Sequence, residues 1–230
     1  MGATTWSRAG AASGAVGAVL YVVSAFTAGS PLKPDASVAR VQAHLADHRG
    51  ALLAGFLLAL VAVAFLVWFL GSLRRFVAAV DGEGSPLAAV TLASWVALLV
   101  IAVSGGVPLT AVIWRGAGQV DAGTVRLAFD VGNLSLYSLS ASVAAVSVLA
   151  PVMVIWRSAA LPRWLVVLGA IEIVVNIVEL AGLFARHGWD AGGYAWGIGP
   201  FVWVVWVAAV SLCLVMRQGG GTEVVTVVVG

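Results

Sequence analysis

The chain has 230 residues, of which 62% are hydrophobic and 10% charged, with a formal net charge of +2. A soluble domain carries roughly 25% charged residues, so these few charges and a mean hydropathy of +1.07 exclude a water-soluble domain and predict an integral membrane protein. The small net charge says nothing about nucleic acid, and we predict no nucleic-acid partner. The single cysteine, Cys213, excludes an intrachain disulfide or thiolate metal site.

Six apolar runs are long enough to span a bilayer, for which roughly 20 residues are needed. They cover approximately residues 11–29, 51–71, 87–114, 133–156, 165–184 and 198–216. Their short connections favour antiparallel neighbours in one bundle. We therefore predict an all-α fold with one six-helix transmembrane domain over residues 1–217, whose first run is a retained span, and a flexible tail over residues 218–230.

The first connection contains a predicted short helix. Val38, Val41 and Leu45 recur at helical spacing, which predicts an amphipathic helix lying on the membrane surface in the first outer loop. His44 and His48 are one turn apart, but "HLADH" lacks the glutamate of the zinc-protease motif. Solvated histidines explain this pair best, and we expect no metal site.

The third run contains "SGGVPLT", residues Ser104 to Thr110. Pro108 has no N–H to donate to the carbonyl of Ser104, so the pattern predicts a kink or break in the outer half of this helix. Broken backbone at membrane depth is tolerated where it is buried in protein or lines a water-filled cavity.

The fourth run carries a polar stripe at its outer end. Arg126, Asp130, Asn133 and Tyr137 follow helical spacing if the helix begins near Thr124. Arg126 and Asp130 are one turn apart, so a surface ion pair is an alternative to a site. Tyr137 is predicted at the same depth as the outer glutamate of the fifth run.

The fifth run reads "IEIVVNIVEL" from Ile171 to Leu180. Glu172, Asn176 and Glu179 are spaced by four and three residues and therefore share one helix face. The two glutamates are about 10 Å apart along the axis, too far for a carboxylate dyad. A charge at the bilayer centre costs about 2.5–3.5 kcal/mol or more, so these residues are either functional or form a clasp between helices.

These irregularities converge on one depth and predict an outward-opening polar pocket. The candidate ligand- or proton-binding residues are Glu172, Asn176, Glu179, Tyr137, Asn133 and Asp130. The sequence contains no Walker loop, dinucleotide fingerprint or nucleophile elbow. We therefore predict no cofactor and no catalytic residues.

The orientation is predicted from the ends of the helices. Each side of the bundle carries six basic residues, so a bare count does not decide. Arg74, Arg75, Arg157 and Arg217 lie directly at helix ends on the side of the termini. The other side carries more acidic residues, and we therefore predict that both termini are cytoplasmic.

Several short motifs carry a resemblance to a known group. They are Pro31 with the loop helix ending "DHR" at 47–49, "LRRF" at 73–76 and "LPRW" at 161–164. In this layout the chain resembles six-span bacterial membrane proteins, common in actinobacteria, that are grouped only as a domain of unknown function. The resemblance implies the helical bundle and the bacterial plasma membrane, and it implies no site residues.

Three functions fit these features. The first is a small transporter or ligand-binding bundle, with membrane lipids around it, a glutamate as proton or cation site and a homodimer as a natural assembly. The second is an assembly subunit that holds a protein partner and has no substrate. The third is a lipid-modifying enzyme that pairs an outer carboxylate with His44 or His48. We expect the first, without enzymatic activity.

Overall fold

A computed structural model describes residues 3–29, 32–180 and 195–219, without the side chains of residues 3–5, 137, 195–197 and 219. The last residues of the fifth predicted run and residues 220–230 of the predicted tail lie outside this description. Within it the chain is all-α. The helices are α1 Ala3–Ala28, α2 Val38–Asp47, α3 Arg49–Asp81, α4 Pro86–Arg115, α5 Ala122–Asn133, α6 Ser140–Ser158, α7 Trp164–Leu180 and α8 Ala195–Gly219.

Five of the described helical segments are long and apolar enough to cross a membrane. They are Trp6–Ala28, Arg49–Asp81, Pro86–Arg115, Ala122–Ser158 and Ile198–Gln218. The fourth of them is continuous because a π-helical turn, Leu134–Leu139, joins α5 to α6. The architecture is consistent with a membrane protein.

The long helices form a closed ring in chain order. α1 packs against α3, α3 against α4, α4 against α6, α6 against α7, α7 against α8, and α8 returns to α1. Arg8 near the start of α1 donates a hydrogen bond to the carbonyl of Gln218 near the end of α8, at 3.1 Å. The two ends of the described chain therefore lie at the same end of the ring, which we call the terminal end.

The two faces of α7 differ sharply in polarity. Its buried residues include Glu172, Asn176 and Glu179, whereas its most exposed residues are Val167 and Val174. A water-soluble bundle places polar residues outside and apolar residues inside. The reverse arrangement on this helix is suited to an apolar solvent outside the ring.

Aromatic side chains fill the middle of the ring. The rings of Trp95 and Trp203 lie 5.1 Å apart, and Phe69 packs against Trp95 at 5.7 Å. Both indole N–H groups donate to Ser147 of α6: Trp95 to its carbonyl at 3.1 Å and Trp203 to its hydroxyl at 3.3 Å. This layer ties α4, α6 and α8 together.

A small cap of α2, the 3-10 turn Ala117–Gln119 and α5 covers part of the end opposite the termini. Ser37 caps α2 by accepting from the N–H of Arg40. Val41 and Leu45 are buried in a cluster with Ile113 and Phe129. The apolar face of α2 therefore contacts protein, and the position of this helix relative to a membrane stays a prediction.

No break interrupts α4 at Pro108 in the described chain, and the alternative of a kink there stays a prediction. α4 is helical from Pro86 to Arg115, and the irregular turn lies in its neighbour, at Leu134–Leu139. Gly105 lies directly against this turn, because a Cβ there would overlap the side chain of Ser135. The glycine serves close packing of α4 against the π turn.

Candidate functional site

The three polar residues of α7 all point into the ring. Glu172 is 0% exposed, Asn176 3% and Glu179 5%. Their spacing of four and three residues keeps them on one helix face, as the sequence predicts. This face is directed toward α6 and α8, against which α7 packs.

Glu172 and Asn176 form a local pair on α7. The Asn176 amide donates to the Glu172 carbonyl at 2.9 Å and to its Oε1 at 2.6 Å. The other carboxyl oxygen, Oε2, is buried and has no hydrogen-bond partner among the described residues. An unsatisfied buried oxygen costs about 1–3 kcal/mol. Other contacts of the fold must therefore offset the free-energy cost of burying the Glu172 carboxyl group.

Glu179 reaches across to the N-terminal part of α8. Its Oε1 accepts a hydrogen bond from the backbone N–H of Gly199 at 3.1 Å. The carboxyl group packs so closely on Gly199 that any Cβ at that position would overlap it. A backbone donor near a helix N-terminus is a favourable partner for negative charge.

A cavity of about 80 Å³ lies beside Glu179 near the centre of the ring. Asn176, Glu179, Tyr21, Ser140 and Trp203 contribute its polar groups and aromatic rings. The remaining wall is apolar and comes from Val63, Leu66, Leu98, Leu99, Ala102, Leu136, Ala144, Gly199 and Pro200. A space of this size holds several water molecules or a small ligand group.

The charge on the described wall of this cavity is of one sign. Glu179 is the sole carboxylate among the described lining residues, and these residues include no arginine, lysine or histidine. An anionic ligand would find no ion-pair partner on this part of the wall. A cation, a proton or a hydrogen-bond donor fits it better.

Asp130 and Asn133, two candidate residues of the fourth run, lie away from the cavity. Asp130 forms an ion pair with Arg126 at 2.8 Å, and the amide of Asn133 donates to the carbonyl of Phe129 in its own helix at 2.8 Å. Neither residue lines the cavity. The side chain of Tyr137 lies outside the description.

Arg126 is committed to the cap. Besides Asp130, it donates to the carbonyls of Ala36 at 2.9 Å and of Pro34 at 2.6 Å. These bonds tie the segment before α2 to α5. The polar stripe of this helix thus holds the cap in place.

The two histidines of α2 stack on each other. Their ring centroids are 4.4 Å apart, and His48 Nδ1 lies 3.1 Å from the carbonyl of His44. Within the described residues no group of three or more histidine, cysteine, aspartate or glutamate side chains is placed to hold a metal ion.

Three polar or aromatic residues of the cavity wall, Tyr21, Ser140 and Trp203, were not among the candidates from the sequence. Tyr21 lies in the first run with only small residues and Ser24 at helical spacing, and Trp203 fits an apolar packing role. Only the closure of the ring brings α1 and α8 together. The sequence signal for Tyr21 is therefore limited to the rarity of tyrosine, of which the chain has three.

No protein-family model, curated protein or solved structure matches this chain. The description of the site therefore depends on the chain's own residues.

Proposed function

We propose that the chain is a six-span protein of the bacterial plasma membrane, with cytoplasmic termini, that binds or transports a small molecule or lipid. Glu179 acts as its proton or cation site. The observation that carries this proposal is the position of Glu179, on the wall of a cavity inside a bundle with an apolar exterior. Intramembrane carboxylates that face such cavities mark ion and substrate pathways.

The chemistry of the cavity supports a positively charged group as the ligand. Glu179 and Asn176 supply oxygen atoms, while Trp203 and Tyr21 supply aromatic rings. A cation gains from a carboxylate and from aromatic faces at the same time. A small amine or a proton is therefore the expected occupant next to Glu179.

The α7 helix, the fifth predicted run, is the span that the proposal adds to the five long apolar segments. Its described part has 17 residues, which is about 25 Å of helix, and its sequence continues with the apolar residues Ala181 to Phe184. Val167 and Val174 on its outer face are suited to lipid.

The test is a pH titration of the purified protein by difference infrared spectroscopy, with Glu179→Gln as the variant and Glu172→Gln as the matched control. We expect a carboxyl band that titrates in the parent, disappears in Glu179→Gln and responds to added small amines. Glu172→Gln is expected to keep the amine response, because Glu172 does not line the cavity. If Glu179→Gln leaves both the band and the amine response intact, the proposal is wrong.

One contact favours a second candidate, an assembly subunit without a substrate. The bond from Gly199 N–H to Glu179 joins α7 to α8 and would serve as a helix clasp. In that case Glu179→Gln keeps the bond through its amide oxygen and is nearly silent. Affinity purification would then return one stoichiometric partner protein.

A further inference from the structure

Three arginines meet at the terminal end of α1, α3 and α8. Arg8 donates to the Gln218 carbonyl, and Arg75 donates to the Ser72 hydroxyl at 3.3 Å. The Arg217 guanidinium lies 5.5 Å from the centre of the Phe76 ring. α1 packs between α3 and α8, so these contacts belong to one patch, which we call the arginine patch (Arg8, Arg75 and Arg217).

The charges of the arginine patch are exposed and have no carboxylate partner among the residues that the structure describes. All three side chains are exposed, and the one ion pair among the described residues is at Arg126 and Asp130, on the opposite end. Unpaired guanidinium groups are weakly hydrated and bind phosphate oxygens with two parallel hydrogen bonds.

A pair of stacked tryptophans lies beside the patch. Trp6 and Trp68 have ring centroids 5.8 Å apart and planes within 8°, and they are 54% and 52% exposed. Exposed tryptophans of membrane proteins concentrate at the level of the headgroups. Arg75 follows Trp68 by two helical turns, about 10 Å, and therefore lies on the terminal side of this tryptophan.

We propose that the arginine patch binds the phosphate headgroup of an anionic phospholipid, whose acyl chains lie along α1 and α3 beside the tryptophan pair. Phosphate oxygens take the free N–H groups of Arg75 and Arg217, and Trp68 contacts the glycerol region. Basic pockets at the ends of membrane helices bind anionic headgroups in this way. The proposal is independent of the central cavity.

The test measures lipid binding to the full chain in detergent by native mass spectrometry. The probes are phosphatidylglycerol, phosphatidylcholine with the same acyl chains, and inorganic phosphate. Arg75→Gln with Arg217→Gln removes two charges from the patch. Arg157→Gln with Arg163→Gln removes two exposed charges near the turn between α6 and α7, and is the matched control.

We expect selective binding of phosphatidylglycerol and about a 25-fold loss in the patch variant, since each basic residue contributes about fivefold near an anionic surface. The control is expected to change binding by less than threefold. If the patch variant does not fold, Arg75→Lys with Arg217→Lys keeps the charge but loses the paired hydrogen bonds, and binding should fall about fivefold.

Three outcomes would overturn the proposal. Equal losses in the patch variant and the control would mean that general charge attraction explains binding. Equal binding of phosphatidylcholine would remove the role of the anionic headgroup. Competition by inorganic phosphate at the same concentrations would indicate an ion site rather than a lipid site.

Discussion

Ser147 is the residue on which two buried tryptophans converge. Its hydroxyl accepts from Trp203 and its carbonyl accepts from Trp95. Ser147→Ala leaves the indole N–H of Trp203 without a partner in the ring. We expect a loss of about 1–2 kcal/mol, seen as a lower midpoint of thermal unfolding in detergent. Ser142→Ala is the control, because that exposed hydroxyl bonds only to Leu139 of its own helix region; an equal loss there would contradict this account.

Gly199 is the residue that lets Glu179 approach α8. A Cβ at position 199 would overlap the carboxyl group, so Gly199→Ala is expected to push Glu179 away and break its backbone hydrogen bond. The titrating carboxyl band assigned to Glu179 should shift or broaden in infrared spectra. Gly71→Ala, on α3 with open space around it, should leave the band unchanged and stabilise the helix by up to about 1 kcal/mol. An unchanged band in Gly199→Ala would show that this contact is unimportant.

For single residues, the sequence predicts which face of α7 is buried but not which group Glu179 binds. Spacing alone puts Glu172, Asn176 and Glu179 on one side of α7, and all three are buried there. The partner of Glu179 is a backbone N–H twenty residues away. A backbone donor leaves no side-chain signal, so only the packing of α7 on α8 reveals it.

The packing of α4 on the π turn depends on one glycine of an adjacent pair. A Cβ at Gly105 would overlap Ser135, whereas a Cβ at Gly106 would have its nearest neighbour, Phe56, at an ordinary 3.6 Å. Gly105→Ala is expected to lower stability by about 1–3 kcal/mol through overpacking. Gly106→Ala should be neutral or slightly stabilising. Thermal unfolding of both variants checks this, and equal behaviour of the two would contradict the proposed close contact.

The same region shows what helix-level prediction from sequence leaves open. Pro108 and its glycines predict a kink or break in α4, and no break is present, because a proline removes one hydrogen bond without fixing where the backbone relaxes. The π turn at Leu134–Leu139 has neither glycine nor proline in it. Ser135 of this turn packs on Gly105 of α4, a tertiary contact that sequence periodicity does not contain.

The cap helix α2 should respond to pH through His44. Burial, with a smaller effect of the nearby His48 charge, holds the pKa of His44 below its ordinary 6.5. The unfolded cap therefore binds a proton at His44 more readily than the folded cap. The contribution of His44 to the stability of the folded cap is thus full above pH 6.5 and is lost as the pH falls below that value. Hydrogen exchange of α2, corrected for intrinsic rates, should accelerate from pH 7.5 to 5. His44→Gln should remove this dependence, and an equally steep dependence in that variant would exclude His44 as its source.

Composition and hydropathy reveal the class of the whole molecule but not the order of its helices around the ring. Six apolar runs and 10% charge are enough to predict a helical membrane protein. Small residues form the contact between α8 and α1 that closes the ring. Ser211 accepts from the Ala15 N–H at 2.9 Å and donates to the Ala11 carbonyl, while Gly14 and Gly17 admit the side chains of α3. Small residues can pack against any neighbouring helix, so the sequence does not predict which helix each of them contacts.

The ring also makes a prediction about membrane topology. An even number of crossings puts both termini on one side, as the contact of Arg8 with Gln218 requires of a spanning bundle. Single cysteines introduced on a Cys213→Ala background report the side by labelling with an impermeant maleimide in sealed vesicles. Glu83→Cys and Arg163→Cys should be labelled together, from the side of the termini. Ala39→Cys and Gln119→Cys should be labelled from the other side.

The crossing of α7 is the decisive step in that experiment. Ala191 lies in the sequence between α7 and α8, so Ala191→Cys should be labelled from the same side as Gln119→Cys if α7 spans the bilayer. Labelling of Ala191→Cys from the same side as Arg163→Cys would mean that α7 and α8 are not two separate membrane spans. Glu172 and Glu179 would then be more simply explained by a re-entrant segment, and the cavity would have to open toward the terminal end. Labelling from the opposite side places the carboxylates of α7 within a true span, where ionisable residues face the bundle interior or a cavity while the outer face meets lipid.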